Sequence, residues 1–305
     1  FPQRRDFAVR TFGLPGAEGF LGVCFGRVIT ANSPASQGEH PSNWEAVLWH
    51  EFCHAVTLSK TRNKMPRWLS EGISVYEEAR QNPAWGMPLS PQFREMLLAD
   101  SLPPLSKLSA AFLAPASPLH LQFAYFESAL AVEFLVERSG LSALKEILDD
   151  LGTGMPINES LPGRTKMSLV ELDGEFRTFA RKRAESKAPG ATWEQPDLPP
   201  DADSKAIEAW LKTHPKSFWG LRLLASRLVS ERRWERAREV SEAFRAIDPT
   251  YIGPENAFML LAAIHRETSD RAAERAVLEE LAGRSGDALP AFQRLIELDE
   301  SAGNW

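Results

Sequence analysis

His50-Glu51-Phe52-Cys53-His54, with Trp68-Leu69-Ser70-Glu71-Gly72 beginning fourteen residues after the second histidine, decides how this chain is read. Residues four apart on an α-helix share a face, so the imidazoles of His50 and His54 can converge on one metal ion while Glu51 points beside it. The flanking pattern supports a helix over about 43–58. Ser42 and Glu45 have the spacing of an S-x-x-E capping box after Pro41, and Trp44, Val47, Leu48, Phe52 and Val56 recur at helical intervals as the expected buried stripe.

Two histidines are one protein ligand short of a catalytic zinc set, which takes three and keeps a further position for water. Pro66 precedes a second helical pattern over about 67–81, on which Glu71 is expected to project toward the first helix and Gly72 to let the two backbones approach. His50, His54 and Glu71 then form a His2Glu set for one Zn2+ ion. Glu51, left outside the set, is the expected general base, taking a proton from water held on the zinc as that water attacks a carbonyl. The alternative three-histidine pattern needs glycine and histidine three and six positions after His54, where Thr57 and Lys60 stand.

The stretch Trp68-Leu69-Ser70-Glu71-Gly72-Ile73-Ser74-Val75-Tyr76 resembles the W-L-x-E-G-x-A-x-Y block that carries the third ligand in aminopeptidase-type gluzincin metallopeptidases. More narrowly, the chain resembles bacterial peptidase MA-like proteins, in which a compact catalytic domain is joined to tetratricopeptide repeats. The resemblance spans about residues 7–185 and is strongest over 42–80. It implies a zinc-dependent peptidase acting on a peptide or protein substrate.

A later segment, Phe123 to Leu130 followed by Val132, Phe134, Leu135 and Gly140, resembles the A-Y-x-x-S helix of that group. In related enzymes a downstream Tyr or His donates to the oxyanion, which makes Tyr125 the expected donor and His120 its substitute. The competing reading of Tyr125 is a core aromatic on a helix rich in Phe and Leu. The aminopeptidase G-x-M-E-N strand is missing from Leu21 to Thr30, and Glu18 is only a faint echo of it. Endopeptidase action is therefore expected over removal of single N-terminal residues, with that strand as the edge on which an extended peptide adds.

Composition bounds the rest. A chain of 305 residues with 43% hydrophobic content suits two domains, and a formal net charge of −6 argues against a nucleic-acid partner. Cys24 and Cys53 are the only cysteines. Bridging them would bend the metal helix, so no disulfide is expected and Cys53 is read as a small buried hydrophobe behind the metal. No apolar run reaches the length of about 18 residues that signals a membrane span. The chain begins at Phe1 without an initiator Met or a signal-like segment, and a fragment or processed form is expected; what preceded it, and its compartment, are left open.

The expected fold class is α+β. A zincin-like catalytic domain over 1–187, truncated at its N-terminus, combines a small mixed sheet with the helices carrying H-E-x-x-H and Glu71. Strand character is expected at Phe7–Phe12 and Leu21–Ala31, and further helices near 91–100, 121–139, 141–151 and 167–187. A proline-rich linker follows over 188–203. An all-α, tetratricopeptide-like solenoid is expected over 204–305, because His214-Pro215 and Asp248-Pro249 lie 34 residues apart at the ends of helical patterns. Such a solenoid offers a concave surface to a partner protein. The competing function is a catalytically silent zinc domain acting as a scaffold through those repeats.

Overall fold

The computed structural model describes residues 21–26, 28–38, 41–99 and 102–303. The expected strand at Phe7–Phe12 and the echo at Glu18 lie outside the described residues. The described part is mostly helical with one two-stranded sheet, and it divides into two compact units. The first runs through Met87 and over Gln92–Ala184; the second comprises Pro88–Pro91 and the chain from Glu185 onward.

In the first unit, β1 (Gly22–Phe25) and β2 (Val28–Ala31) form an antiparallel hairpin, with Gly22 opposite Ala31 and Phe25 opposite Val28. The sequence suggested one strand over this stretch. Gly26, at φ 62°, lets the chain reverse within two residues, a conformation that costs glycine nothing. Both strands pack on α1 (Trp44–Thr61), which lies against α2 (Arg67–Gln81). There follow α3 (Pro91–Leu98), a 3-10 segment at Leu105–Phe112, α4 (Pro118–Thr153), α5 (Ile157–Thr165) and α6 (Leu169–Ser186).

Helix α4 is the spine of this unit, packing on α1, α2 and α5. Gly140, at φ 83° and ψ 160°, breaks it into the two helical runs the sequence implies, and Gly154 ends it in a left-handed C-cap. Its length and apolarity alone suit a membrane span, but 56% of that window is buried inside the protein, as in a core helix. The contact between α2 and α4 is close enough to require glycine: a Cβ on Gly72 would stand 2.5 Å from the carbonyl oxygen of Ser128. The close approach at Gly72 is thus to α4 rather than to α1.

Two expectations for α1 are corrected. Asn43, not Ser42, is the N-cap, its Oδ1 accepting from the backbone N–H groups of Glu45 and Ala46. The apolar stripe faces outward: Trp44, Leu48, Phe52 and Val56 are 51%, 37%, 53% and 50% exposed among the described residues. The buried face carries Ala46, Glu51, Cys53, Thr57 and Thr61 instead. Small residues let α1 lie close to its neighbours, as at Gly152 of α4, where a Cβ would meet the Lys60 carbonyl oxygen at 2.6 Å. Helix α5 is absent from the sequence reading because Pro162 and Gly163 interrupt its pattern. Arg164 anchors it, donating from Nε and Nη2 to the Asp150 carboxylate of α4 at 2.8 and 2.6 Å.

The second unit contains α7 (Ser204–Leu211), α8 (Phe218–Ser230), α9 (Trp234–Ile247), α10 (Ala257–Glu267), α11 (Arg271–Arg284) and α12 (Leu289–Ala302). Each packs on the next, and α8 also reaches α10. Side-chain caps at Asp203, Ser217, Asn256 and Asp270 start α7, α8, α10 and α11. Phe218 is buried at the centre, with Phe244 and Tyr251 edge-on to it at 5.2 and 5.1 Å. The proline-rich stretch after 188 has no helix yet is packed: Ala191, Trp193, Leu198 and Ala202 lie on the core, with Trp193 stacked 5.0 Å from Phe218. Lys187 and Asp248 form an ion pair at 2.7 Å with side chains 4% and 1% exposed.

Candidate metal centre

Helices α1 and α2 bring His50, His54 and Glu71 together, with one ligand atom from each lying within 4.8 Å of the others. Both imidazole Nε2 atoms stand 3.3 Å from the same oxygen, Glu71 Oε2. In a tetrahedron with zinc–ligand bonds of about 2.0–2.1 Å, neighbouring ligand atoms are about 3.3 Å apart, so this donor set fits a zinc ion in type and in spacing. The two rings meet edge to face at 4.7 Å, as two imidazoles directed at a common point do.

The other ring nitrogens are held from behind. His50 Nδ1 is 2.5 Å from Glu78 Oε1, and His54 Nδ1 lies 2.9 Å from Ser70 Oγ and 3.3 Å from Ser74 Oγ. These contacts turn Nε2 of each histidine toward Glu71, the outer-shell arrangement that fixes ring orientation at metal sites. Glu78, Ser70 and Ser74 went unread in the sequence. The spacing that reveals Glu78 is seven residues from Glu71, two turns along the same face of α2.

Electrostatics match a site built for a cation. Burial pulls the His50 imidazolium down, but hydrogen bonds to Glu71 and Glu78 outweigh it and lift the group to about 10. Burial pushes the Glu71 carboxyl up, and the two histidines reverse this, holding it well below the usual carboxylate range. The cluster thus favours an ionised Glu71 beside a charged His50, an arrangement that a divalent ion would also satisfy.

Glu51 is 7% exposed and sits beside the three. Burial raises its pKa, opposed by His50 and His54. Strand β1 closes over it: a Cβ on Gly22 would lie 2.8 Å from Glu51 Cγ and 2.9 Å from Oε1. Cys53 is buried and free, its thiol pushed up to about 12 by burial and by Glu77 and Glu78; Cys24 is free as well.

Residues 36–182 match the family model of the Peptidase MA superfamily. The matched span begins after the hairpin, ends within α6, and includes every residue of the centre as well as Tyr125. No curated protein and no solved structure matches the chain. The helices from α7 onward lie outside the Peptidase MA match.

The structure separates the two residues expected to donate to an oxyanion. Tyr125 is half-buried on α4; burial raises its phenol pKa, with Glu71 and Glu51 adding to the rise and a hydrogen bond from Arg67 opposing it. Its ring meets Phe112 edge-on at 5.1 Å, and the Arg67 guanidinium lies 5.0 Å over the same Phe112 ring. Arg67 Nε also donates to Glu71 Oε1 at 3.3 Å, placing a cation at the edge of the centre that the sequence reading did not single out. His120, by contrast, is exposed one turn into α4, its Nδ1 2.8 Å from Ser117 Oγ, and it lines a different cavity.

Proposed function

We propose that the first unit is a zinc-dependent peptidase of the gluzincin type. His50, His54 and Glu71 hold one zinc ion, Glu51 is the general base and Tyr125 the oxyanion donor. The single observation that carries the reading is the convergence of two imidazoles on one Glu71 oxygen with a second, buried carboxylate, that of Glu51, beside them. The Peptidase MA match over the same residues supports it. When bound, zinc supplies Lewis acidity, bringing the pKa of water from about 15.7 toward about 7 and polarising a carbonyl.

The chain's own residues do the rest. Glu51, made a stronger base by burial, accepts the proton of the attacking water and returns it to the leaving amine. Tyr125 keeps its O–H because burial raises its pKa, and it donates to the carbonyl oxygen as negative charge grows there. Glu78, Ser70 and Ser74 hold the imidazoles still. An extended substrate pairs along β1, whose Gly22 already touches Glu51, and the absence of an amine-holding G-x-M-E-N strand favours cleavage within chains. The helices from α7 onward form a tetratricopeptide-like solenoid for a protein partner. Their pairwise packing and the 34-residue spacing of the two X-Pro breaks support this.

The test is digestion of a proteome-derived peptide library by the zinc-loaded chain and by Glu51→Gln, read by mass spectrometry with zinc content measured in both. Internal cuts with the wild type alone, at one zinc per chain in each, are expected. Cuts that persist in Glu51→Gln would remove it as the base, and none from either protein with zinc bound would defeat the peptidase reading.

A further inference from the structure

Helix α4 also lines a cavity on its other side. Residues advance about 100° per position on a helix, so Phe123, Ala124 and Glu127 lie away from the face that presents Tyr125. They line a cavity of about 340 Å³ with Met96 and Ala99 of α3 and its continuation, Leu102, and the segment 111–116. The lining is apolar apart from Glu127 and, on the first turn of α4, His120.

Glu127 is 1% exposed, and its Oε1 has no hydrogen-bond partner. Burial alone pushes its carboxyl up to about 8, and no charged side chain from α3 or from residues 102–116 is among the described lining residues. An unpaired carboxyl in an apolar wall costs folding free energy, and neither the metal centre nor the packing of α4 uses it. Among the described residues nothing donates to its Oε1 and no cation offsets its burial. The cavity lies at the small end of the range for ligand sites, about 300–1,000 Å³, which suits a small molecule rather than a peptide segment.

We infer that this cavity binds a small ligand bearing a primary amine on an apolar body, the amine meeting Glu127 and the body lying against Phe123, Leu102 and Met96. An ammonium supplies both the charge and the donors that Glu127 lacks. An alcohol supplies one donor and no charge, and a carboxylate would face like charge once Glu127 ionises. The site shares no residue with the metal centre and does not rest on the peptidase reading.

Isothermal titration of the full chain with benzylamine, benzyl alcohol and phenylacetate at pH 6, 7 and 8 tests it. Benzylamine is expected to bind saturably, at least tenfold more tightly than either analogue, and to gain affinity as pH rises toward 8 and Glu127 gives up its proton. Glu127→Gln, which keeps the shape, should lower that affinity at least tenfold with circular dichroism and zinc content unchanged. Ala116→Trp, an exposed substitution at the rim, should block binding without touching the fold. Three results would each overturn the inference: no saturable benzylamine binding at millimolar concentration, equal binding of phenylacetate or benzyl alcohol, or full affinity in Glu127→Gln.

Discussion

Glu71 and Glu127 are both carboxylates drawn out of water in the same unit, and their surroundings drive them in opposite directions. Desolvation is the leading influence on each and raises both. At Glu71 two imidazoles overturn it and the acid is held ionised; at Glu127 nothing does and the acid is held neutral near pH 7. A third arrangement, in the second unit, pairs Asp248 with the ammonium of Lys187. Burial thus does not set what a carboxylate does; its partners do. The first arrangement has the donor set and spacing that fit a metal, the second is the one proposed to take a cation, and the third is a structural pair.

That contrast can be broken experimentally. The largest effect is expected at the structural pair: Asp248→Ala strands the Lys187 ammonium in a site where it is 4% exposed, and the second unit should lose about 3–5 kcal/mol in urea denaturation. A loss below about 1 kcal/mol would mean that the pair is wet in solution. Next comes Glu78→Ala, which frees the His50 ring while leaving all three ligands; zinc affinity in competition with a chromophoric chelator should fall about 10–100-fold. Unchanged affinity would mean that the rings are oriented without it.

The third effect belongs to Glu127 and accumulates with pH, by about 1.4 kcal/mol or less for each pH unit. Its folded pKa, about 8, lies above the ordinary glutamate value of 4.5, so the native state holds a proton that the unfolded chain releases. The stability it contributes is complete below about pH 4.5 and is lost as pH rises toward 8. Wild type should therefore lose stability relative to Glu127→Gln by up to about 1.4 kcal/mol per pH unit between pH 5 and 8. Parallel curves for the two proteins would show that Glu127 finds a partner in solution.

How much of this could be read from the chain alone differs from element to element. The gathering of His50, His54 and Glu71 with Glu51 beside them was legible because their spacing, i, i+1 and i+4 on one helix and a Glu-Gly on the next, sets where they fall. Helix α2 was legible to its ends because Pro66 marks its start. The buried face of α1 was not. Hydrophobic periodicity assumes that the apolar side faces the core, whereas α1 turns His50, His54, Cys53 and Thr57 inward and leaves Phe52 and Val56 exposed among the described residues. The residues behind the metal set, Glu78, Ser70 and Ser74, carry no motif and show only once two helices are packed. Glu127 reads in sequence as an ordinary acid on an apolar helix; its isolation is a property of the tertiary fold.

The most direct test of the central claim, that partners make the Glu71 cluster a zinc seat, is X-ray absorption at the zinc K-edge of the zinc-loaded protein. The account predicts two imidazole nitrogens and only oxygen besides, at about 2.0–2.2 Å, with no sulfur. A sulfur shell at about 2.3 Å would bring in Cys53 or Cys24, and either that or a third imidazole would contradict it.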